Sequence, residues 1–443
     1  ERMKTDILIV GGGPAGILAG QTAKNVDPEL KITMVKDEPG IIIRCSEPYV
    51  IGGEVKLNDI IHSDDEMIGS KGITVLVDRV TGIDYKRKTA WTRNNREISF
   101  DRLILATGAK PFIPRIQGNK LKNVFTLRNA EDTKNLKRVS DKAENAVIIG
   151  GGAIGVEVGS LLRKKGLNVT IVEIASQLLA GAYDEEFSQK VELVLREKGI
   201  NVLLGKGVSA IEGEKNVEEV LIEGERIPAD FVVISAGVRA DTELAEEIGC
   251  RIGRFGIKID KYCRTSLNDV YACGDCAQSL SFITKKPVPS QLATTAVLEG
   301  KIAGANAAGG REEFPRIVNP SVTAFFDSAI GRVGLTEKQA RDEGIPYVVG
   351  YGKSLNKYPS QREAEFIENK LVFEKETKRL IGAQVFGGKE GIDERIDLLS
   401  LAIHKGVRIE DLCHFSHCAH PELSPLPFTE PIVLAAEDAL NRI

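Results

Sequence analysis

Cys45 stands in Ile43-Arg44-Cys45-Ser46-Glu47-Pro48-Tyr49-Val50, soon after one glycine-rich segment and well before a second. Segments of that kind cradle the phosphates of dinucleotides, and two of them around a single cysteine point to redox chemistry. The reactive form of cysteine is the thiolate, whose pKa falls beside a cation or at a helix N-terminus. Arg44 precedes Cys45 and residues 46–51 can open a helix after it, so either effect is available. Most cysteines are instead small buried hydrophobes, and Cys250 and Cys263 read that way.

The first glycine-rich segment is Gly11-Gly12-Gly13-Pro14-Ala15-Gly16, entered from an apolar run at 6–10 and leaving into helical periodicity over 17–24. Strand before and helix after are the context this fingerprint requires. Gly11 permits the tight turn, Gly13 lets the backbone approach a pyrophosphate, and Gly16 lets the helix pack closely on the strand. The helix N-terminus then faces the anion. The second segment, Gly150-Gly151-Gly152-Ala153-Ile154-Gly155, repeats the arrangement between a strand at 146–149 and a helix running through Leu162. Two such units imply two nucleotides.

The residue that ends the next strand distinguishes them, because an acid there accepts a hydrogen bond from the ribose 2′-OH. After the second unit, the strand at 168–172 ends at Glu173 with no arginine before Gln177. A carboxylate repels a 2′-phosphate, so NADH is expected over NADPH. After the first unit, the strand at 31–35 ends at Lys36, with Asp37 and Glu38 behind it, and Asp37 is the candidate for the ribose.

A third segment, residues 265–277, reads as a short strand ending in Gly274-Asp275. It resembles the second flavin motif of two-dinucleotide-domain flavoproteins, whose aspartate binds the ribityl chain. Leu103-Ile104-Leu105-Ala106-Thr107-Gly108-Ala109 and Val233-Ile234-Ser235-Ala236-Gly237-Val238 look like the crossover returns of the same proteins. With these motifs in order from end to end, the chain resembles the pyridine nucleotide-disulfide oxidoreductase family. Within it, the chain is similar to the single-cysteine branch of NADH oxidases, NADH peroxidases and coenzyme A disulfide reductases.

That resemblance covers nearly all of the 443 residues. It implies an α/β fold, with two Rossmann-like FAD/NAD(P)-binding domains plus a C-terminal α+β dimerisation domain. The implied flavin contacts begin with Gly11, Gly13, Pro14, Ala15 and Gly16, then Lys36, Asp37 and Val80. They continue with Ala106, Thr107 and Gly108, with Gly274 and Asp275, and with Leu292, Ala293 and Thr294. A helix starting at these last three would aim its N-terminus at the flavin ring and favour the reduced anion, by ~0.3–1 kcal/mol where solvent reaches it. The implied NADH contacts are Gly150, Gly152, Ile154, Gly155, Glu157, Glu173 and Gly237.

Dithiol members carry a Cys-x4-Cys pair near this point, but the residue five after Cys45 is Val50. The Cys-x-x-Pro-Tyr element, followed by Val50-Ile51-Gly52-Gly53, is similar to that of coenzyme A disulfide reductases and polysulfide reductases. The implied activity is therefore an FAD-dependent NADH:disulfide oxidoreductase that reduces coenzyme A disulfide or a poly- or persulfide. Cys45 would cycle between thiolate and a mixed disulfide, a persulfide or a sulfenic acid. Alternatives are an NADH oxidase or peroxidase reducing O2 or H2O2, and an NADH-dependent reductase of an electron-carrier protein that makes no use of the cysteine. A redox-responsive binding subunit is a further one.

Two departures from the family stand out. Ala153 occupies a position that often carries an aromatic gate. Cys418-Ala419-His420-Pro421-Glu422-Leu423-Ser424-Pro425 resembles the His-Pro-x-x-Ser-Glu element of dithiol members, where the partner subunit's histidine is the acid/base, but Pro425 replaces the glutamate. His420 remains a candidate to protonate a leaving thiolate, and Cys418 a candidate to resolve oxidised Cys45 in a second copy. If the segment 413–420 is helical, His414, His417 and Cys418 share one face. Cys273 and Cys276 have metal or dithiol spacing but lie inside the flavin motif. No metal is expected.

Composition sets the remaining limits. The length suggests about three domains on a ~150-residue prior. These are a discontinuous flavin domain at 1–112 and 242–318, an NADH domain at 113–241, and a dimerisation domain at 319–443, giving a homodimer. In the last, 321–326, 371–374 and 380–386 read as strands of an antiparallel sheet, and 392–405 as a helix. A net charge of −4 gives no electrostatic reason to expect nucleic acid or a membrane surface, and no apolar run approaches the ~18 residues of a membrane span. Seven cysteines at irregular spacing fit a reducing, cytoplasmic setting better than a disulfide scaffold.

Overall fold

The computed structural model describes residues 2–443, so Glu1 at the head of the expected flavin domain lies outside it. Apolar runs without alternation, such as Ile7-Leu8-Ile9, are buried on both faces, as a parallel sheet covered by helices requires. In the first sheet Arg2–Val10 lies between Ile32–Lys36 and Glu97–Leu105, parallel to both. Ile73–Val77 extends one side, and the hairpin arm Val80–Asp84/Thr89–Thr92 joins antiparallel on the other. Val270–Ala272 also pairs with Glu97–Leu105, which brings Gly274-Asp275 to the same strand ends as the first fingerprint.

Helix α1 (Pro14–Val26) opens with proline in its first turn, where no backbone N–H is needed. Helix α2 (Glu47–Gly52) directly follows the 3-10 turn Arg44–Ser46 that carries Cys45. The second sheet is wholly parallel, in the order Val124–Phe125, Phe231–Ile234, Asn145–Ile149, Asn168–Glu173, Asn201–Leu204. It sits under helix α3 (Ala153–Lys164). The chain enters and leaves this unit through an antiparallel ribbon, Ala109–Pro111 with Val238–Ala240. Helix α4 (Ala293–Ala307) then returns to pack along α1.

The C-terminal sheet is antiparallel throughout, in the order Ser321–Phe325, Ser328–Gly334, Leu380–Gly388, Phe366–Glu374, Tyr347–Leu355. The expected helix runs Ile392–His404. Two of the five strands, Ser328–Gly334 and Tyr347–Leu355, were not foreseen. Glycines dilute their β pattern, and at Gly350 and Gly352 they do so for a packing reason. A Cβ there would come within 1.8 Å of Ala435 O and 2.0 Å of Pro431 O on the terminal helix Pro431–Leu440. No helix among the described residues is long and apolar enough to cross a membrane.

Lys370 ties this sheet to the second unit. Its side chain is fully buried, with Nζ 2.9 Å from both Asp184 and Glu337 and also paired with Glu186. Burial lowers its pKa, but the hydrogen bonds to the three acids outweigh that and hold it above the ordinary value. Asp184 is fixed in turn by Gln384 Nε2 at 2.6 Å and by the backbone N–H of Glu337 at 3.0 Å. Lys370→Met leaves these acids uncompensated and is expected to cost about 3 kcal/mol. A thermal melt of the flavin-loaded protein with no loss of Tm would contradict it.

Candidate functional site

The two fingerprints fold alike. Gly11 and Gly150 both adopt φ +114°, where a Cβ would lie 2.0 Å from Ala106 O and 2.3 Å from Ser235 O respectively. Gly16 and Gly155 press on the carbonyls of Gly11 and Gly150 in the same way. By contrast, a Cβ on Gly13 or Gly152 would meet nothing within 4 Å, with Pro14 and Ile154 exposed beside them. Each helix start thus faces an open cradle that a side chain would fill, and the residues present fit a pyrophosphate at both.

The strand-end positions are also equivalent. A Cβ on Gly12 would touch the Lys36 Cβ at 2.9 Å, and one on Gly151 the Glu173 Cβ at 3.1 Å, so Lys36 is the counterpart of Glu173. Glu173 Oε2 accepts the Gly151 N–H at 2.7 Å and Oε1 accepts the Ala175 N–H at 2.8 Å. Lys36 is buried, donates to Gly40 O at 2.6 Å and pairs with Asp64. The expectation for Asp37 is therefore corrected. It lies one residue past the strand end, exposed, 3.7 Å from Arg79, because successive strand side chains point to opposite faces.

Asp275 sits at the mouth of the first cradle. Gly274 before it (φ +79°) would place a Cβ 2.8 Å from the Ala15 Cβ, so it closes onto the start of α1. Burial raises the Asp275 pKa, and Arg128 and Arg44 oppose the rise. Ala106 is buried beneath Gly11, Thr107 Oγ1 donates to Asp241 O at 2.6 Å, and Gly108 turns at φ +71°. Val80 is a core residue at the start of the hairpin arm, with its side chain packed near Val10 and Val35. Leu292 caps α4, and the exposed Ala293 and Thr294 leave that helix start open. Gly237 (φ +97°) is likewise open, between the strand Phe231–Ile234 and the ribbon strand Val238–Ala240.

Cys45, accessible to solvent, lies within electrostatic reach of Glu157 on α3, Glu47 on α2 and Asp275. Desolvation, then Glu157, raise its pKa above the ordinary thiol value. The expectation of a thiolate favoured by Arg44 or a helix start is corrected: Arg44 lies 3.5 Å from Glu38, and the first residue of α2 is itself an acid. Buried Glu47 is pushed up to about 7 chiefly by desolvation, and accepts the Thr133 hydroxyl at 3.1 Å. Tyr49, pushed up to about 12 by burial and by Glu157, shares a hydrogen bond with the Glu157 carboxyl. Helix α2 is seated on α3 by Lys165 Nζ, 3.2 Å from Ile51 O, and by the Lys164–Glu54 pair.

Cys273 and Cys276 are wholly buried, and desolvation pushes Cys276 up to about 11. Cys250 and Cys263 are buried core residues too. In the C-terminal segment the helix Ile409–Cys413 stops at Cys413, so His414, His417 and Cys418 do not share a helical face. Cys418 and His420 lie on an exposed loop, where the His420 N–H donates to Ser424 Oγ at 2.9 Å and Nδ1 accepts the Glu422 N–H at 3.3 Å. Leu423 and Phe428 nearby are 79% and 77% exposed, an apolar surface of the kind that another subunit covers. The carboxylates Asp184, Glu186 and Glu337 converge as metal ligands do, but the Lys370 ammonium holds their centre.

Sequence reasoning missed Arg128, which no motif marks, and gave Tyr49 no role although it belongs to the quoted Cys-x-x-Pro-Tyr element. Two cavities open on the surface of the described residues. One of about 710 Å³ borders the ribbon, where Lys110 is already paired with Asp241 and Glu243. The other, of about 400 Å³, is lined by Gln21, Lys24, Asn25, Pro28, Lys71 and Gly72.

Residues 5–300 match the family described as Pyridine nucleotide-disulphide oxidoreductase, and residues 320–428 match its dimerisation domain. An NADH oxidase of Methanocaldococcus jannaschii is 36% identical over 98% of this chain and 99% of its own. An NAD(P)H coenzyme A polysulfide/persulfide reductase of Pyrococcus horikoshii is 32% identical over 98% of both. Among solved structures, an NAD-dependent persulfide reductase from A. fulgidus is 32% identical with a TM-score of 0.94, over 99% of this chain and 83% of that one.

Proposed function

The chain belongs to the pyridine nucleotide-disulphide oxidoreductase family, whose members use a flavin and a nicotinamide cofactor, and on that premise we propose that it reduces coenzyme A disulfide or a poly- or persulfide with NADH. The observation that carries this reading is Cys45: accessible, without a second cysteine in its motif, and placed where α3 and the Gly274-Asp275 turn converge. FAD is assigned to the unit at 1–112 and 242–318, and NADH to 113–241. Residues 319–443 are assigned to a homodimer contact, and the free cysteines suit a reducing cytoplasm.

The deprotonated Cys45 sulfur attacks the substrate disulfide. A Cys45–sulfur bond forms as the substrate S–S bond breaks, and the leaving thiolate takes the proton that Cys45 gave up, through water or the His420 imidazole of a second copy. A bound flavin and nicotinamide would supply the two electrons that break the Cys45–sulfur bond, so that Cys45 returns to its thiolate and the second half of the substrate leaves as a thiol on taking up a proton. Cys418 of that second copy is the candidate to resolve oxidised Cys45.

The smaller cavity supports a phosphorylated thiol carrier. Lys24 and Lys71 face it without an acid in its lining, and the segment bearing Lys71 follows Ile61–His62, which pairs with Ile41–Ile42 just before Cys45. Lys24→Glu together with Lys71→Glu is expected to raise KM for coenzyme A disulfide by about 10-fold or more and to leave inorganic polysulfide unaffected. Equal effects on both substrates would remove the assignment.

Anaerobic NADH titration of the flavin-loaded protein tests the function. The reductase reading requires more than one NADH equivalent per flavin and fastest reoxidation by a sulfur acceptor. Fastest reoxidation by air or peroxide would favour the second reading, an NADH oxidase or peroxidase, which the M. jannaschii relative supports.

A further inference from the structure

Glu299 lies in the second turn of α4 with 1% of its surface exposed. Both carboxyl oxygens are engaged. Oε2 accepts the Gly274 N–H at 2.7 Å, and Oε1 accepts the Ser279 hydroxyl at 2.7 Å. These partners bracket Asp275, since Gly274 immediately precedes it and Ser279 lies in the strand Ala277–Leu280 that follows. A buried carboxyl is costly unless its hydrogen bonds are made, and nothing in the phosphate cradles calls for one here.

We infer that Glu299 is the positioning residue for Asp275: its carboxyl clamps both ends of the Gly274–Ser279 turn from behind, so that Asp275 is presented to the flavin's ribityl hydroxyls. This rests on the flavin reading of Asp275. The groups facing Glu299 are Asp275 and the thiols of Cys263, Cys273 and Cys276. Helix α1 offers only the Ala15 and Ala19 backbone, against Gly300 and Gly304. Desolvation, with a smaller contribution from Asp275, pushes the Glu299 pKa up to about 8 against its two hydrogen bonds. The carboxyl therefore holds a proton far more readily than an ordinary glutamate, and in that state its O–H donates to Ser279 Oγ, whose hydroxyl it accepts when ionised. Its proton is lost as pH rises through about 8, which places a second buried negative charge beside Asp275.

The test is the rate of FAD release from the holoprotein, read by flavin fluorescence between about pH 6 and 9. Wild type is expected to release FAD faster as pH rises through about 8. Glu299→Gln, which keeps the hydrogen bonds without the charge, is expected to release at the wild-type rate at neutral pH and to show no such rise. Glu299→Leu is expected to release about 10-fold faster at every pH. If Glu299→Leu does not fold, the Gln profile decides, and an unchanged rise in Glu299→Gln overturns the inference. Wild-type retention in Glu299→Leu beside fast release in Asp275→Ala overturns the inference alone. Wild-type retention in Asp275→Ala overturns the flavin reading of Asp275 and the inference with it.

Discussion

Cys45→Ser is expected to lower turnover with sulfur acceptors by at least ~10³-fold, the scale at which loss of a covalent nucleophile is felt. Flavin content and NADH binding should be unchanged, because Cys45 is accessible and contributes to neither phosphate cradle. Undiminished turnover in the variant would make the chain a flavin oxidase or a carrier reductase. The electrostatics add a second readout. Desolvation and then Glu157, Glu47 and Asp275 raise the thiol pKa, and a backbone hydrogen bond opposes them. At neutral pH the free protein therefore holds Cys45 mainly as thiol, and the thiolate fraction grows as pH rises through a pKa above the ordinary value. Alkylation by iodoacetamide should follow that rise. Glu157→Gln removes one of the acids, lowers the thiol pKa and should speed alkylation several-fold at mildly alkaline pH. An unchanged rate would show that Glu157 does not act on Cys45.

Glu173→Ser is expected to raise kcat/KM for NADPH by about 10- to 100-fold, since like charges set against each other cost several kcal/mol. The carboxylate accepts two backbone N–H groups, from Gly151 and Ala175, and stays at the rim of the second cradle rather than swinging into solvent. A 2′-phosphate would enter that fixed negative field, whereas a 2′-OH can donate to it. NADH use should fall, because the hydroxyl loses its acceptor. Steady-state kinetics with both nucleotides decide the point, and an unaltered NADPH rate would mean that another group discriminates.

The glycine turns at the two helix starts and the Gly274-Asp275 turn were readable from the sequence for one reason. Each depends on a few neighbouring residues whose types are dictated by local backbone geometry. Gly11 and Gly150 must reach φ +114° under a carbonyl, and Gly13 and Gly152 must leave open space at a helix start. Spacing alone announces such requirements. The apolar-rich residues 321–326 and 380–386 were legible as strands, while Tyr347–Leu355 was hidden because its glycines answer to a helix about 80 residues away.

What only the tertiary structure decided concerns register and fields. One residue of offset turns Asp37 out toward Arg79 and sets Lys36 opposite Gly12, a difference too small for a motif to resolve. The acidity of Cys45 followed its neighbour in sequence, Arg44, only in expectation. In the folded protein Arg44 turns to Glu38, and the charges that reach the thiol come from α2, α3 and the segment at 275. Glu299 carried no signal at all, being one acid in a helix whose partners, Gly274 and Ser279, lie 25 and 20 residues earlier. Electrostatic and hydrogen-bond energies depend on distances through space, which a sequence encodes only by folding.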